Sequence, residues 1–139
     1  MTAQAAIVLN DGQSTPVAHT FAPKGARQGP DKKDVALWRD QSPVNSVGFL
    51  TLTETHTPPN GNGMEKFRYV LDVPTLEQAS SGGLFDPPPT RAYGTIGAIE
   101  VWAHARASDQ ELKDIAAYVK NFTATTYFRD AIVNREPAW

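Results

Sequence analysis

The chain of 139 residues has no cysteine, which excludes disulfides, thiolate metal sites and cysteine nucleophiles together. Histidine is sparse: His19, His56 and His104 are scattered, with no H-x-x-x-H spacing, so no metal site is expected. Long apolar runs are missing too. Residues 5–9 (AAIVL) are far too few to span a membrane, and they lack the basic flank and cleavage site of a signal peptide. There is no G-x-S-x-G and no Walker-type loop, and the carboxylates are dispersed rather than paired. Catalytic residues, a cofactor and a membrane partner are therefore not expected, and the protein does not read as an enzyme. Asn121-Phe122-Thr123 matches a glycosylation sequon but falls at a helix end. A surplus of positive charge is also lacking. With a formal net charge of -2, any nucleic-acid contact has to be concentrated on one local face.

What the chain does have is strand signals first and helix signals last. A hairpin is expected over residues 5–21, turning at Asn10-Asp11-Gly12. Residues 23–34 (PKGARQGPDKKD) read as a polar loop, and 35–40 (VALWRD) as a short strand. Residues 47–55 (VGFLTLTET) alternate, with Leu50 and Leu52 on one face and Thr51, Thr53 and Thr55 on the other. After the turn-rich TPPNGNG, residues 66–73 alternate again: Phe67, Tyr69, Leu71 and Val73 oppose Lys66, Arg68, Val70 and Asp72. A loop with Gly82-Gly83 and Pro87-Pro88-Pro89 leads to a long strand, TRAYGTIGAIEVWAHA, at 90–105. The period then becomes helical. Ser108-Asp-Gln-Glu111 is a capping box, followed by Leu112, Ile115, Ala116, Val119 and Phe122 at helical spacing. A break at 123–126 separates a second, shorter helix, so the helices occupy 109–134 and the sheet 35–106 of a single domain, 1–139. The class is α+β with an antiparallel sheet.

The long strand poses a covering problem. At about 3.3 Å per residue it spans roughly 50 Å, whereas a helix of about a dozen residues measures roughly 20 Å. One helix pair does not shield it, and the exposed remainder would exceed what a soluble monomer tolerates. A second copy solves this: two sheets join edge to edge and each subunit's helices lie over the other's strands. A homodimer is therefore expected. The weaker alternative folds the helices back on their own sheet and covers the rest with the proline-rich loops.

The polar sheet face is the candidate site. Thr51, Thr53 and Thr55 would neighbour Lys66 and Arg68 across a 57–63 hairpin, with Tyr93 and Thr95 joining from the next strand. Hydroxyls, two cations and an exposed ring suit unpaired RNA, whose bases need a stacking surface and polar partners. A solvated threonine-rich face, simply a good strand surface, is the plainer reading. In the long strand, a bulge near Gly97-Ala98 would flip the phase, placing Glu100 and Trp102 on the face of Tyr93 and Thr95 and turning Ile99, Val101 and Ala103 away.

Several stretches in order, "IVLNDG", "VALW", "YVLDVP", "TRAY", "ASDQELKDIAAYV" and the ending "NREPAW", resemble the coat proteins of single-stranded RNA bacteriophages, the levivirus type. The resemblance runs over essentially the whole chain. It implies an N-terminal β-hairpin, a five-stranded antiparallel sheet and two C-terminal helices interlocking with a partner subunit. It implies an obligate homodimer that assembles into an icosahedral T=3 shell, binds genomic single-stranded RNA on its inner face, and represses replicase translation through an operator RNA hairpin. The setting is the virion, assembled in the bacterial cytoplasm. Carried over by position, Tyr93 matches a base-stacking tyrosine, Val35, Thr51 and Thr53 match an adenine pocket, and Lys66 matches a basic RNA contact. Arg68 and Val70 stand where relatives have threonine and lysine, and Thr95 replaces an asparagine or aspartate. Residues 75–89 match the loop that meets neighbours at the shell's axes; in the absence of cysteine, Pro87-Pro88-Pro89 is expected to stiffen it. A dimeric RNA-binding regulator that forms no shell is the alternative.

Overall fold

A computed structural model describes residues 3–29, 32–78 and 87–137. Its strands are β1 (Ile7–Asn10), β2 (Ala18–Gln28), β3 (Asp34–Asp40), β4 (Leu50–Thr57), β5 (Met64–Glu77) and β6 (Thr90–His104), followed by α1 (Asp109–Thr123) and α2 (Thr126–Asn134). The strands form one sheet in chain order, β1 to β6, and each of the pairs from β1–β2 to β4–β5 is antiparallel. The sheet has six strands rather than a separate hairpin beside five, because β2 serves both: its first part pairs with β1 and its second with β3. The chain divides into two compact units, residues 1–102 and 103–139.

The first hairpin closes through Asp11. Its backbone N–H donates to the Val17 carbonyl at 3.0 Å, and its carboxylate accepts from the amides of Val17 (2.9 Å) and Gln13 (3.3 Å). This is the Asx-type turn that the Asn-Asp-Gly signal favours.

The polar segment 23–34 is not a loop for most of its length; β2 continues through Gln28. The register slips between Pro23 and Ala26, and Gly25 has φ +99°. Proline lacks a ladder donor and glycine alone tolerates that φ, so both are at home in a bulge. From Ala22 onward β2 has left its β1 partner, so its polar side chains lie along an edge. Gln4 bridges the slip: its Nε2 donates to the Leu37 carbonyl (2.8 Å) and its Oε1 accepts from Gly25 N–H (3.1 Å). The Trp38 indole N–H donates to the Ala5 carbonyl at 2.8 Å, fixing the same segment.

The buried apolar side chains among the described residues are Phe21, Trp38 and Ala103, and Asp40 is buried with them. β6 is exposed at every position from 90 to 100. In the second unit, α1 opens with the expected capping box: the Ser108 side chain accepts from Glu111 N–H, and the Glu111 carboxylate accepts from Ser108 N–H at 2.7 Å. Those bonds to Ser108 hold the Glu111 carboxyl below its ordinary range. Thr125 caps α2, and Phe122 meets Phe128 edge-on at 5.7 Å, tying the two helices together.

Candidate nucleic-acid interface

The register assembles the site. β3 pairs with β4 so that Val35 faces Thr55, Leu37 faces Thr53 and Arg39 faces Thr51. β4 pairs with β5 so that Thr51 faces Asp72, Thr53 faces Val70, Thr55 faces Arg68 and Thr57 faces Lys66. Directly opposed residues share a face. Val35, Thr51, Thr53, Thr55, Lys66 and Arg68 therefore stand on one surface, and the hairpin expected across 57–63 forms. Tyr93 and Thr95 stand on β6, both exposed, Tyr93 to 63%.

Of the β6 residues expected on this face, Glu100 and Trp102 reach Lys66 and Arg68. Glu100 Oε1 lies 3.4 Å from Arg68 Nε and 3.9 Å from Lys66 Nζ. Lys66 Nζ lies 4.9 Å from the centre of the Trp102 ring. At the strand's other end Arg91 forks onto Asp72 with bonds of 2.6 and 2.9 Å. Arg91 and Glu100 are an odd number of positions apart, yet both reach the even-numbered side of β5. The Arg91 guanidinium crosses over Gly94, an even number of positions from Glu100, so both reach this side without the phase change expected at Gly97-Ala98. Gly94 lies beneath the Arg91 guanidinium, where any β-carbon would fall 1.7 Å from Nη2.

Among the open cavities that the described residues line, two lie beside this site. One, of about 340 Å³, is lined by Lys24, Arg27, Val35, Leu37 and Thr53. Its cations escape a reading that treats 23–34 as loop; the -KGAR- sequence carries no alternation to reveal them. The other, of about 430 Å³, is lined by Lys33, Thr55, Thr57, Lys66, Arg68 and Trp102 among others.

The two faces differ in charge. Arg39, Lys66 and Arg68 occupy the threonine side, and Arg39 lies over the Phe49 ring at 5.9 Å. The reverse side carries Asp34, Glu54 and Glu65. There the Tyr69 hydroxyl donates to Glu54 at 3.2 Å, and burial, with the Glu54 charge beside it, pushes its pKa up. His56 stacks on Phe67 and meets Glu65 at 3.0 Å. Within β3 to β5 the basic side chains thus gather on the threonine face, with Asp72 and Glu100 beside them.

An antiparallel sheet of this order followed by a helical pair is also found in solved shell subunits of bacteriophages. The chain is similar over 99% of its length to the subunit of the "virus-like particle of bacteriophage NT-214", with 29% identity, TM-score 0.84 and 100% of that chain covered. The corresponding figures for the particle of bacteriophage ESE058 are 28%, 0.84 and 100%, again over 99% of this chain. The bacteriophage GA capsid protein shares the fold at 17% identity and TM-score 0.72, over 95% of each chain. Comparison with curated proteins gives no match. The profile of the levivirus coat protein family matches residues 2–139. The chain belongs to that family and is a capsid protein.

Proposed function

We propose that the protein works as a homodimer that assembles into an icosahedral shell in the bacterial cytoplasm and holds genomic single-stranded RNA on its threonine-rich face. The observation that carries this reading is the gathering of Arg39, Lys66 and Arg68 with Thr51, Thr53 and Thr55 on one face, where Asp72 and Glu100 lie among them, while the other face carries Asp34, Glu54 and Glu65. Phosphates need such a local field when the chain as a whole is acidic. Val35, Thr51 and Thr53 would surround an unpaired adenine, Tyr93 would stack on a loop base, and Thr55, Thr95, Lys66 and Arg68 would complete the surface. An operator hairpin gripped there would repress replicase translation.

Dimerisation rests on β6 and the helices. β6 is the last strand of the sheet and is exposed at 90–100. Neither helix has a buried residue, and Tyr118, Phe122, Tyr127, Ile132 and Val133 are each more than half exposed. A long bare edge and unpaired apolar side chains are what a partner's edge and helices cover.

Expression in bacteria, followed by size exclusion and electron microscopy, tests the assembly. Megadalton particles with nuclease-protected RNA absorbing at 260 nm are expected, and Tyr93→Ala should weaken hairpin binding while sparing the particles. A species of about 30 kDa, twice the 15.1 kDa chain, would contradict the shell.

A further inference from the structure

The cavity beside Trp102 has a composition that the proposed adenine pocket does not need. Trp102 is 54% exposed, although it is the largest side-chain type and lies on a sheet face. Lys33, Lys66 and Arg68 surround it, with the hydroxyls of Thr55 and Thr57 on the same wall. The volume, about 430 Å³, is in the range of small-ligand sites. An open indole with cations and hydroxyls around it offers a stacking surface, phosphate partners and hydrogen bonds to a base edge.

We propose that Trp102 is the stacking platform of a second nucleotide site, taking one unpaired RNA nucleotide with its phosphates on Lys66 and Arg68. Glu100 completes the device. Its carboxylate lies between the two cations, 3.4 Å from Arg68 Nε and 3.9 Å from Lys66 Nζ, where an incoming phosphate would compete for them. Without RNA it neutralises the pair; with RNA it is the group displaced. Both ion pairs are partly exposed, so the competition is mild and the exchange reversible. This site rests on the reading that the threonine face binds RNA, and it adds a ring about nine residues further along β6 from Tyr93, roughly 30 Å by strand rise.

The test uses the purified full-length protein and a fluorescein-labelled, unstructured RNA of about 12 nucleotides at low salt. Trp102→Leu, which keeps apolar bulk but removes the π face, should weaken binding by roughly tenfold. Trp102→Phe should keep most of the affinity, and Glu100→Gln should tighten it a few-fold. Glu100 lies on the surface, so its substitution decides the matter even if Trp102→Leu does not fold. Affinities unmoved by Trp102→Leu, or by Glu100→Gln, overturn the site. So does a Trp102→Leu protein that loses its dimer rather than its RNA affinity, which would assign the ring to the subunit seam. A wild-type protein that binds RNA with Trp102 indifferent overturns this site alone; one that binds no RNA overturns the RNA-binding reading and the site together.

Discussion

His19 stands between two carboxylates, with Nδ1 2.7 Å from Asp40 Oδ2 and Nε2 3.7 Å from Asp11 Oδ2. Asp11 holds the first hairpin turn and Asp40 ends β3, so one imidazole links the turn to the sheet. The hydrogen bond to Asp40 raises the His19 pKa above its ordinary 6.5, outweighing partial burial, with both carboxylate charges adding to the rise. Burial pushes Asp40 up, but the Ser42 amide and His19 outweigh it and leave the carboxyl below its ordinary 3.8. Asp11 is lowered chiefly by the Val17 amide. For His19 the folded pKa exceeds the unfolded one, so its contribution is complete below about pH 6.5 and fades as pH rises through the folded value. For the aspartates the contribution is complete above about pH 3.8 and fades as pH falls. The clasp is therefore strongest between those limits. The melting-temperature advantage of wild type over His19→Gln should shrink as pH rises above about 6.5. An advantage that stays constant would show that protonation of His19 plays no part.

At the scale of elements, β2 shows how a strand hides. Its second half keeps its ladder to β3 across a bulge, where Gln4 satisfies Gly25 N–H and the Leu37 carbonyl that the slip separates. Gln4→Ala leaves the exposed Gly25 N–H and the partly buried Leu37 carbonyl to water and should cost about 0.5–1.5 kcal/mol, read by denaturant unfolding. Hydrogen exchange at Gly25 should accelerate in the same variant; protection equal to wild type would mean that the bulge holds without Gln4. None of this is legible in Pro23-Lys24-Gly25-Ala26-Arg27, where proline, glycine and charge all signal a loop. The opposite holds for β4 and β5. Thr51, Thr53 and Thr55 alternate with leucines, and the turn-rich link allows only a hairpin, so their shared face with Lys66 and Arg68 follows from the residues. Ser108 and Glu111 likewise announce α1. Glu100 is intermediate: its place on an exposed strand is legible, but its pairing with both Lys66 and Arg68 depends on how β6 aligns with β5, which no residue pattern encodes.

At the scale of the whole molecule, two unequal surfaces organise the account. In the proposed assembly, a second chain covers the exposed β6 edge and the apolar side chains of the helices, and the charge difference between the sheet faces would give the shell an inside. Family membership and the similar virus-like particles make the chain a capsid protein; in the function proposed above, the distribution of charge turns one face toward RNA. A cryo-electron-microscopy map of nuclease-treated particles tests this most directly. The account predicts RNA density against the face carrying Thr51, Thr53, Thr55, Lys66 and Arg68, reaching Trp102. Particles that are empty, or whose density lies against the Glu54 and Tyr69 face, would contradict it.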